Sequence, residues 1–250
     1  MSNFFTHFPN VNYAFGDEFN TKGGAYLTLN KFQDISTYID LIDEVKENAP
    51  FYSEYYVLEN DRPDQVSQAI YGTPDYHWTF FIMNDHIRNQ GWPLSMSELD
   101  KKVKRDFPHK FFTTLDDLTG VMKVGQRCFA SVSSGGGKIL RRNLDLGLVI
   151  VDSRDQFQKL ENVTNTSYEG VTKTVTTIST GFEYNAPHHY EDGDGNFVDI
   201  DPSVGPGALL TEITNYDHYV RQNDKLKQIK VIRPDAVQNV VGSYLEALRS

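Results

Sequence analysis

Cysteine is almost missing: the 250 residues contain one, Cys128. A single thiol closes no internal disulfide and builds no cysteine-based zinc cluster, which sets aside the disulfide-stapled secreted class. Long apolar runs are missing too, and no stretch approaches the roughly 18 residues of a membrane span. The first ten residues lack both a basic start and a continuous apolar stretch, so no signal peptide is expected. Base is scarce as well: 24 Lys and Arg against 34 Asp and Glu leave a net charge of -10. Nucleic acid and anionic membrane, which need clustered Lys and Arg, are therefore not expected partners. The sequence has no Gly-x-Ser-x-Gly elbow and no His-Glu-x-x-His helix. Nothing isolates a glycosidase-type carboxylate pair. No catalytic residue, metal or cofactor is expected, and a wall-hydrolase reading ranks last.

What is present is a globular balance, 39% apolar and 23% charged, on a chain long enough to bury a sizeable core. The charge is local along the sequence. Residues 1–100 hold 15 acids and 5 bases, whereas 101–250 hold 19 of each. The aromatics follow, with 19 of 32 in the first hundred residues. An acidic, Tyr- and Trp-rich stretch suits a protein-contact surface.

Four segments are expected. Residues 1–50 read as an arm followed by an amphipathic helix over 34–48, with Ile35, Tyr38, Ile39, Ile42 and Val45 at helical spacing and an acidic outer face. Residues 51–109 read as strand, helix, helix and short strand, then a further helix. Phe51–Glu59 is the first strand. Asn60-Asp61-Arg62-Pro63 turns into a helix, with Asp61 as cap and Pro63 in the first turn. Gly72 ends that helix, and Thr73-Pro74-Asp75 starts the next. Gly91–Leu94 is the returning strand, and Ser95–Phe107 the following helix. Tyr56, Ile70, Tyr76, Trp78, Phe81 and Trp92 are the expected module core. Residues 110–207 read as a β-rich insertion. Its strands are expected near 127–132, 146–151 and 171–178, with a hairpin over 189–200. Residues 208–250 read as helix, strand, helix. The fold class is α+β.

Each chemical-looking motif has an ordinary reading. Ser133–Lys138 lacks the spacer and the Ser or Thr of a P-loop, so a hairpin loop is expected. Asp192-Gly-Asp-Gly-Asn196 opens like a calcium loop, but Phe197 and Ser203 stand where Gly and a bidentate acid belong, so a hairpin turn is expected. His188 and His189 are neighbours, and on a regular strand they face opposite sides, which disfavours a zinc site. Cys128 should be buried. Lys101, Lys102, Lys104, Arg105 and Lys110 form the one dense basic patch. It reads as the wet face of a helix, or as a docking surface for an acidic partner.

Two stretches resemble a known family. The first is Tyr55-Tyr-Val-Leu-Glu-Asn-Asp-Arg-Pro63 with Ala69-Ile-Tyr-Gly-Thr-Pro-Asp-Tyr-His-Trp78, Met83-Asn-Asp85 and Gly91-Trp92. The second is Asn223-Asp-Lys-Leu-Lys-Gln-Ile-Lys-Val-Ile232 with the helix after it. Together, over roughly 34–107 and 208–250, they resemble the LysM-like baseplate wedge protein of contractile-tailed bacteriophages. The resemblance implies a LysM-like strand–helix–helix–strand module and a structural role in the virion tail baseplate. It implies six copies per baseplate, assembled in the host bacterial cytoplasm. The implied partners are other wedge proteins and the sheath initiator. Asn60, Asp61, Arg62 and the Gly72-Thr73-Pro74 corner are the expected partner-facing edge. Glycan-binding LysM modules usually carry a Gly-Asp-Thr turn after the first strand. Here Asn60-Asp61-Arg62-Pro63 stands in its place, so the module reads as a protein clamp. A cell-wall glycan-binding module carried by the tail is the alternative.

Overall fold

The computed structural model describes residues 10–14, 29–33, 45–166 and 170–247. Most of the expected arm and of helix 34–48 lies outside these, as does Leu248. Within them, β1 (Asn10–Ala14) pairs antiparallel with β2 (Leu29–Gln33), and residues 45–47 are helical with Val45 buried. The chain divides into two compact units, Met1–Pro93 with Asp224–Ser250, and Leu94–Asn223. Helices and antiparallel sheets make it α+β.

The first unit is a two-stranded ribbon with helices. β3 (Tyr52–Tyr56) pairs antiparallel with β14 (Gln228–Ile232), Tyr52 opposite Ile232. The closing strand therefore comes from the far end of the chain. Gly91–Leu94 forms no strand, since neither Gly nor a Pro without an N–H suits a ladder. α1 (Pro63–Tyr71) starts with Pro63 at its first position and ends at Gly72, whose φ of 75° is the left-handed conformation glycine tolerates. Its cap is Arg62, not Asp61, and the Arg62 N–H donates to Gln65 Oε1 at 3.1 Å. Asp61 instead closes the preceding turn, accepting the Leu58 N–H at 3.3 Å.

The expected second helix is split in two, and a further helix follows it. A 3-10 turn covers Pro74–Tyr76, α2 covers Trp78–Met83 and α3 covers Asp85–Gln90. The break falls at His77, and before α3 begins α2 ends at Asn84, buried at 4% exposure. Its amide donates to the carbonyls of Phe80 at 2.8 Å and Lys230 at 2.7 Å. Its Oδ1 accepts the Lys230 N–H at 2.7 Å. One side chain thus stops a helix and acts as a strand partner on the outer edge of β14. A final helix, α6 (Val237–Ala247), buries Val237, Val240, Val241 and Tyr244.

Two apolar clusters result. Val57, Val66, Phe80, Ile87, Ile229 and Val231 form one. Trp78, Met83, Ile232 and the buried face of α6 form the other. Ile70, Phe81 and Trp92 pack on the first and Tyr76 on the second. Tyr56 does not belong to the core. It is 55% exposed, while Val57 is 1% exposed. The apolar parity of the strand runs through Tyr55 and Val57, and a one-residue slip in register moves a side chain to the opposite face.

The second unit is a curled antiparallel sheet. In spatial order its strands are β10 (Thr180–Phe182), β4 (Lys110–Thr113), β7 (Leu148–Asp152), β6 (Gly136–Asn143), β5 (Arg127–Ala130), β8 (Asn162–Thr166) and β9 (Thr172–Thr176). The two edge strands, β9 and β10, are consecutive in sequence, separated only by residues 177–179. One run of chain therefore pairs with β8 at one end and β4 at the other. The Thr113 N–H reaches Ser179 O at 2.8 Å, and Ile178 N–H reaches Thr113 O at 2.7 Å. The sheet closes into a six-stranded barrel, which removes its free edges. Inward residues from every strand but β10 fill it: Phe112, Cys128, Ile139, Val149, Val151, Val163 and Val175. Leu148 and Ile150, of opposite parity on β7, are buried outside with Phe111 and Ala186.

β4, β8 and β10 are strands where none was expected, and β6 begins within the expected hairpin loop Ser133–Lys138 and pairs with β5. β6 runs straight out of the Gly-rich stretch, because a Cβ at Gly137 would stand 1.9 Å from the Asp152 carbonyl. Only glycine lets β6 and β7 approach so closely. α4 (Met96–Asp106) precedes the barrel and sorts with this unit rather than with the module. Ser95 caps it, exchanging bonds with Glu98. β11 (Pro187–Glu191), β12 (Phe197–Val198) and β13 (Thr211–Thr214) form a further sheet. α5 (Asn215–Leu226) follows directly, so 211–214 is strand where helix was expected from Ile213. The fold also redistributes charge. The first unit carries 16 acids and 10 bases, the second 18 and 14. The acidity of the first hundred residues is partly offset by the basic segment that folds back onto them.

Candidate functional site

The turn after β3 is a fixed edge of the first unit. Asn60 sits in the left-handed region at φ 68°, a conformation Asn accepts better than most side chains. The Trp92 indole donates to Asp61 O at 2.7 Å, and its ring packs 5.9 Å from both Phe80 and Phe81. The turn is thereby tied to the buried cluster. Arg62 is exposed and holds Asp64 at 3.1 Å. An exposed pair of this kind contributes little to stability. Asn60 is exposed and Asp61 half-buried. At the other corner Gly72 and Pro74 are exposed. Thr73 caps the 3-10 turn, accepting the Asp75 N–H at 3.3 Å, and its carbonyl takes the Ser67 hydroxyl at 2.7 Å. Reasoning from sequence missed the apolar part of this edge. Tyr56 and Leu58, 55% and 62% exposed, fall two residues apart next to the turn. Their exposure had a signal: the i, i+2 parity set by Tyr55 and Val57.

The basic patch is smaller than its sequence. Lys110 is buried on β4 at 9% exposure, with its ammonium 3.2 Å from the centroid of the Phe182 ring. Burial pushes its pKa down. Lys101, Lys104 and Arg105 are exposed on α4, and Lys102 half so. Lys104 pairs with Asp100 at 2.8 Å and Arg105 with Asp106 at 3.1 Å. Lys102 lies 6.0 Å from the Tyr219 ring. Neighbouring acids therefore offset part of the patch.

The Gly-rich stretch does bind an anion, but one from its own chain. The N–H groups of Val132 and Ser133, the Ser133 hydroxyl and the Gln158 N–H all donate to the Glu161 carboxylate, at 3.2, 2.8, 2.7 and 2.6 Å. Burial raises the Glu161 pKa, yet these donors outweigh it and hold the carboxyl below its ordinary value. No room is left for a phosphate on these donors. The 192–196 loop is a hairpin turn between β11 and β12. Asp192 Oδ1 accepts the N–H groups of Asp194 and Asn196, both at 2.9 Å, and Gly195 takes φ 80°. Cys128 is fully buried, and burial pushes its thiol up to about 11. It is no nucleophile at neutral pH.

A cavity of about 300 Å³ in the second unit is lined by Phe107, Arg141, Leu148, Glu183, His188 and Asn215 among others. Its buried carboxylate, Glu183, takes the Arg141 guanidinium and the His109 N–H, the latter at 3.2 Å. Among the described residues no buried side-chain nitrogen or oxygen lacks a partner. Arg141, Arg142, Glu183 and Asn215 of this cavity are held in structural bonds.

One geometric expectation is overturned. β11 carries a bulge: Pro187 opposes Thr214 and His189 opposes Ile213, so His188 is an extra residue on its strand. A bulge breaks the alternation of side chains. His188 and His189 do not point apart; their Nδ1 atoms lie 2.8 Å from each other. His218 of α5 stacks on His188, with centroids 3.9 Å apart.

No known protein-family model matches this sequence, and a search of curated proteins finds no match. No helix among the described residues is long and apolar enough to cross a membrane.

Proposed function

We propose that this chain is a structural protein of the baseplate wedge of a contractile phage tail, with a LysM-like module as its clamp. One observation carries the reading. The two stretches that resemble the family are separated by more than a hundred residues, yet they supply the two strands of one ribbon, β3 and β14. The closing strand of this module is β14 rather than the expected Gly91–Leu94, and the barrel unit is inserted before it; the joining of the two resembling stretches is what supports the reading. The edge formed by Tyr56, Leu58, Asn60 and Arg62 suits a protein partner: an exposed Tyr and Leu beside an Arg is the composition of interface centres.

In this role the chain joins neighbouring wedge proteins and the sheath initiator, and promotes the closing of six wedges around the hub. Its place is the tail baseplate of the virion. The test is assembly: the chain is mixed with the other wedge proteins of its phage and the product is sized. Wild type is expected to enter the wedge. Arg62→Glu is expected to fold and fail to join. A pull-down on peptidoglycan and chitin tests the glycan-binding alternative, which binding lost with Tyr56→Ala would favour.

A further inference from the structure

We propose that His188, His189 and His218 bind one divalent transition-metal ion of the zinc class, clipping the bulged strand β11 to helix α5. One ring nitrogen of each residue lies within 4.8 Å of those of the other two. The proposal stands apart from the tail reading, since it concerns the second unit alone.

Three features make this a built site rather than a chance meeting of side chains. First, the bulge in β11 turns two successive imidazoles toward one another, which a regular strand cannot do. Second, each element brings a group that orients its ligand. His189 Nε2 meets the Glu191 carboxylate at 3.0 Å, which fixes the proton on that nitrogen and turns Nδ1 toward His188 as an electron-pair donor. Arg221 holds Glu191 in turn, at 2.5 Å. On α5, the Gln222 amide nitrogen donates to His218 Nε2 at 2.7 Å and so holds the ring's orientation rather than accepting its proton. His218, Arg221 and Gln222 are spaced i, i+3 and i+4, so they share one face of the helix. A carboxylate behind a ligating histidine is the usual outer arrangement of zinc sites. Third, the rings are gathered together, so that only ring rotation separates them from a common ion. Phe197 stacks on His189 at 5.2 Å and 16°, and His188 lies parallel to His218 at 11°.

Imidazole nitrogens select Zn, Cu, Ni and Co over Mg or Ca. Ligand bonds of about 2.0–2.1 Å put nitrogens roughly 3.3 Å apart in a tetrahedron. The His188–His189 pair is already close to that, and rotation of the rings brings in His218. Three histidines leave a fourth position for water. Binding would displace whatever proton the two facing Nδ1 atoms share and release it to solvent.

The experiment uses the full chain stripped with a chelator and titrated with Co²⁺, followed by its visible absorption, then competed with Zn²⁺. One equivalent is expected to bind with the intense bands of a tetrahedral nitrogen site. Zinc is expected to displace cobalt and to slow amide exchange in β11 and the first turns of α5. His218→Ala, on a half-exposed helix face, is expected to keep the fold and lose the bands. Glu191→Gln should weaken binding by about 10–100-fold. His77→Ala, in the other unit, should change nothing. X-ray absorption of the zinc-loaded wild type gives a readout that needs no variant, and it should show a shell of imidazole ligands. The proposal is overturned by absence of a saturable first equivalent, by uptake unchanged in His218→Ala, or by a metal shell without imidazole.

Discussion

The two units reach stability by opposite routes. The first joins distant pieces: Tyr52–Tyr56 pairs with Gln228–Ile232, and the junction is sealed by aromatic side chains and by Asn84. The second is one unbroken stretch, closed on itself where the run through β9 and β10 pairs with β8 at one end and β4 at the other, with a carboxylate clamp under its Gly-rich loop. The contrast teaches where each is vulnerable. The module depends on a few large contacts that span the chain; the barrel depends on sheet closure and on internal polar bonds.

The largest expected effect falls on the module's aromatic core. Phe80, fully buried, and Trp78, at 8% exposure, each lose about 3–5 kcal/mol when cut to alanine. Hydrogen exchange should show protection lost in β3, β14 and α1, with the barrel strands unchanged. Equal loss in both units would erase the distinction drawn between them. Next comes Asn84→Ala, which leaves the Lys230 N–H and carbonyl without their partner. Such buried orphans cost about 1–3 kcal/mol each, and roughly 2–3 kcal/mol in all is expected from denaturant midpoints of the module. A neutral result would mean that water replaces the amide.

The matching test in the barrel is Glu161→Gln, with an expected cost of about 1–3 kcal/mol at neutral pH. Its sign with pH is fixed by the direction of the shift. The folded carboxyl titrates below its ordinary 4.5, so its stabilisation is present above that value and is lost as pH falls through the folded one. Denaturation followed from pH 7 into the acid range should show the variant and wild type separated at pH 7 and converging as the folded carboxyl takes up its proton. A gap unchanged at low pH would place the effect elsewhere. The smallest of these effects is Gly72→Ala, about 1 kcal/mol, since the left-handed φ disfavours a side chain. Thermal unfolding should register it in the module transition.

These differences also explain what the sequence could and could not reveal. The helices between residues 63 and 106 were legible because punctuation is local: Pro63, Gly72, Thr73 and Ser95 fall where caps and stops are observed. The last helix was legible from Val237, Val240, Val241 and Tyr244, all buried. Tyr56 was misplaced although the parity of Val57, two residues from Tyr55, pointed it outward. The true closing strand lay far away in sequence, and proximity favoured Gly91–Leu94. The barrel was legible only in part. Its strands are four or five residues long in most cases, polar on one side, and defined by pairing rather than by period. The histidines were misjudged for a sharper reason: alternation is a rule for regular strands, and one inserted residue cancels it. The Gly-rich loop was rightly set aside as a nucleotide cradle, although nothing local announced that Glu161 occupies its donors.

In the proposed role, the module assembled from both ends of the sequence is the clamp by which this chain enters a tail baseplate. The most direct measurement is a density map of the assembled particle at a resolution that places the chain. The account predicts six copies, one per wedge, with Tyr56, Leu58, Asn60 and Arg62 against a neighbouring wedge protein. A particle without the chain, or one in which that edge faces solvent, would contradict it.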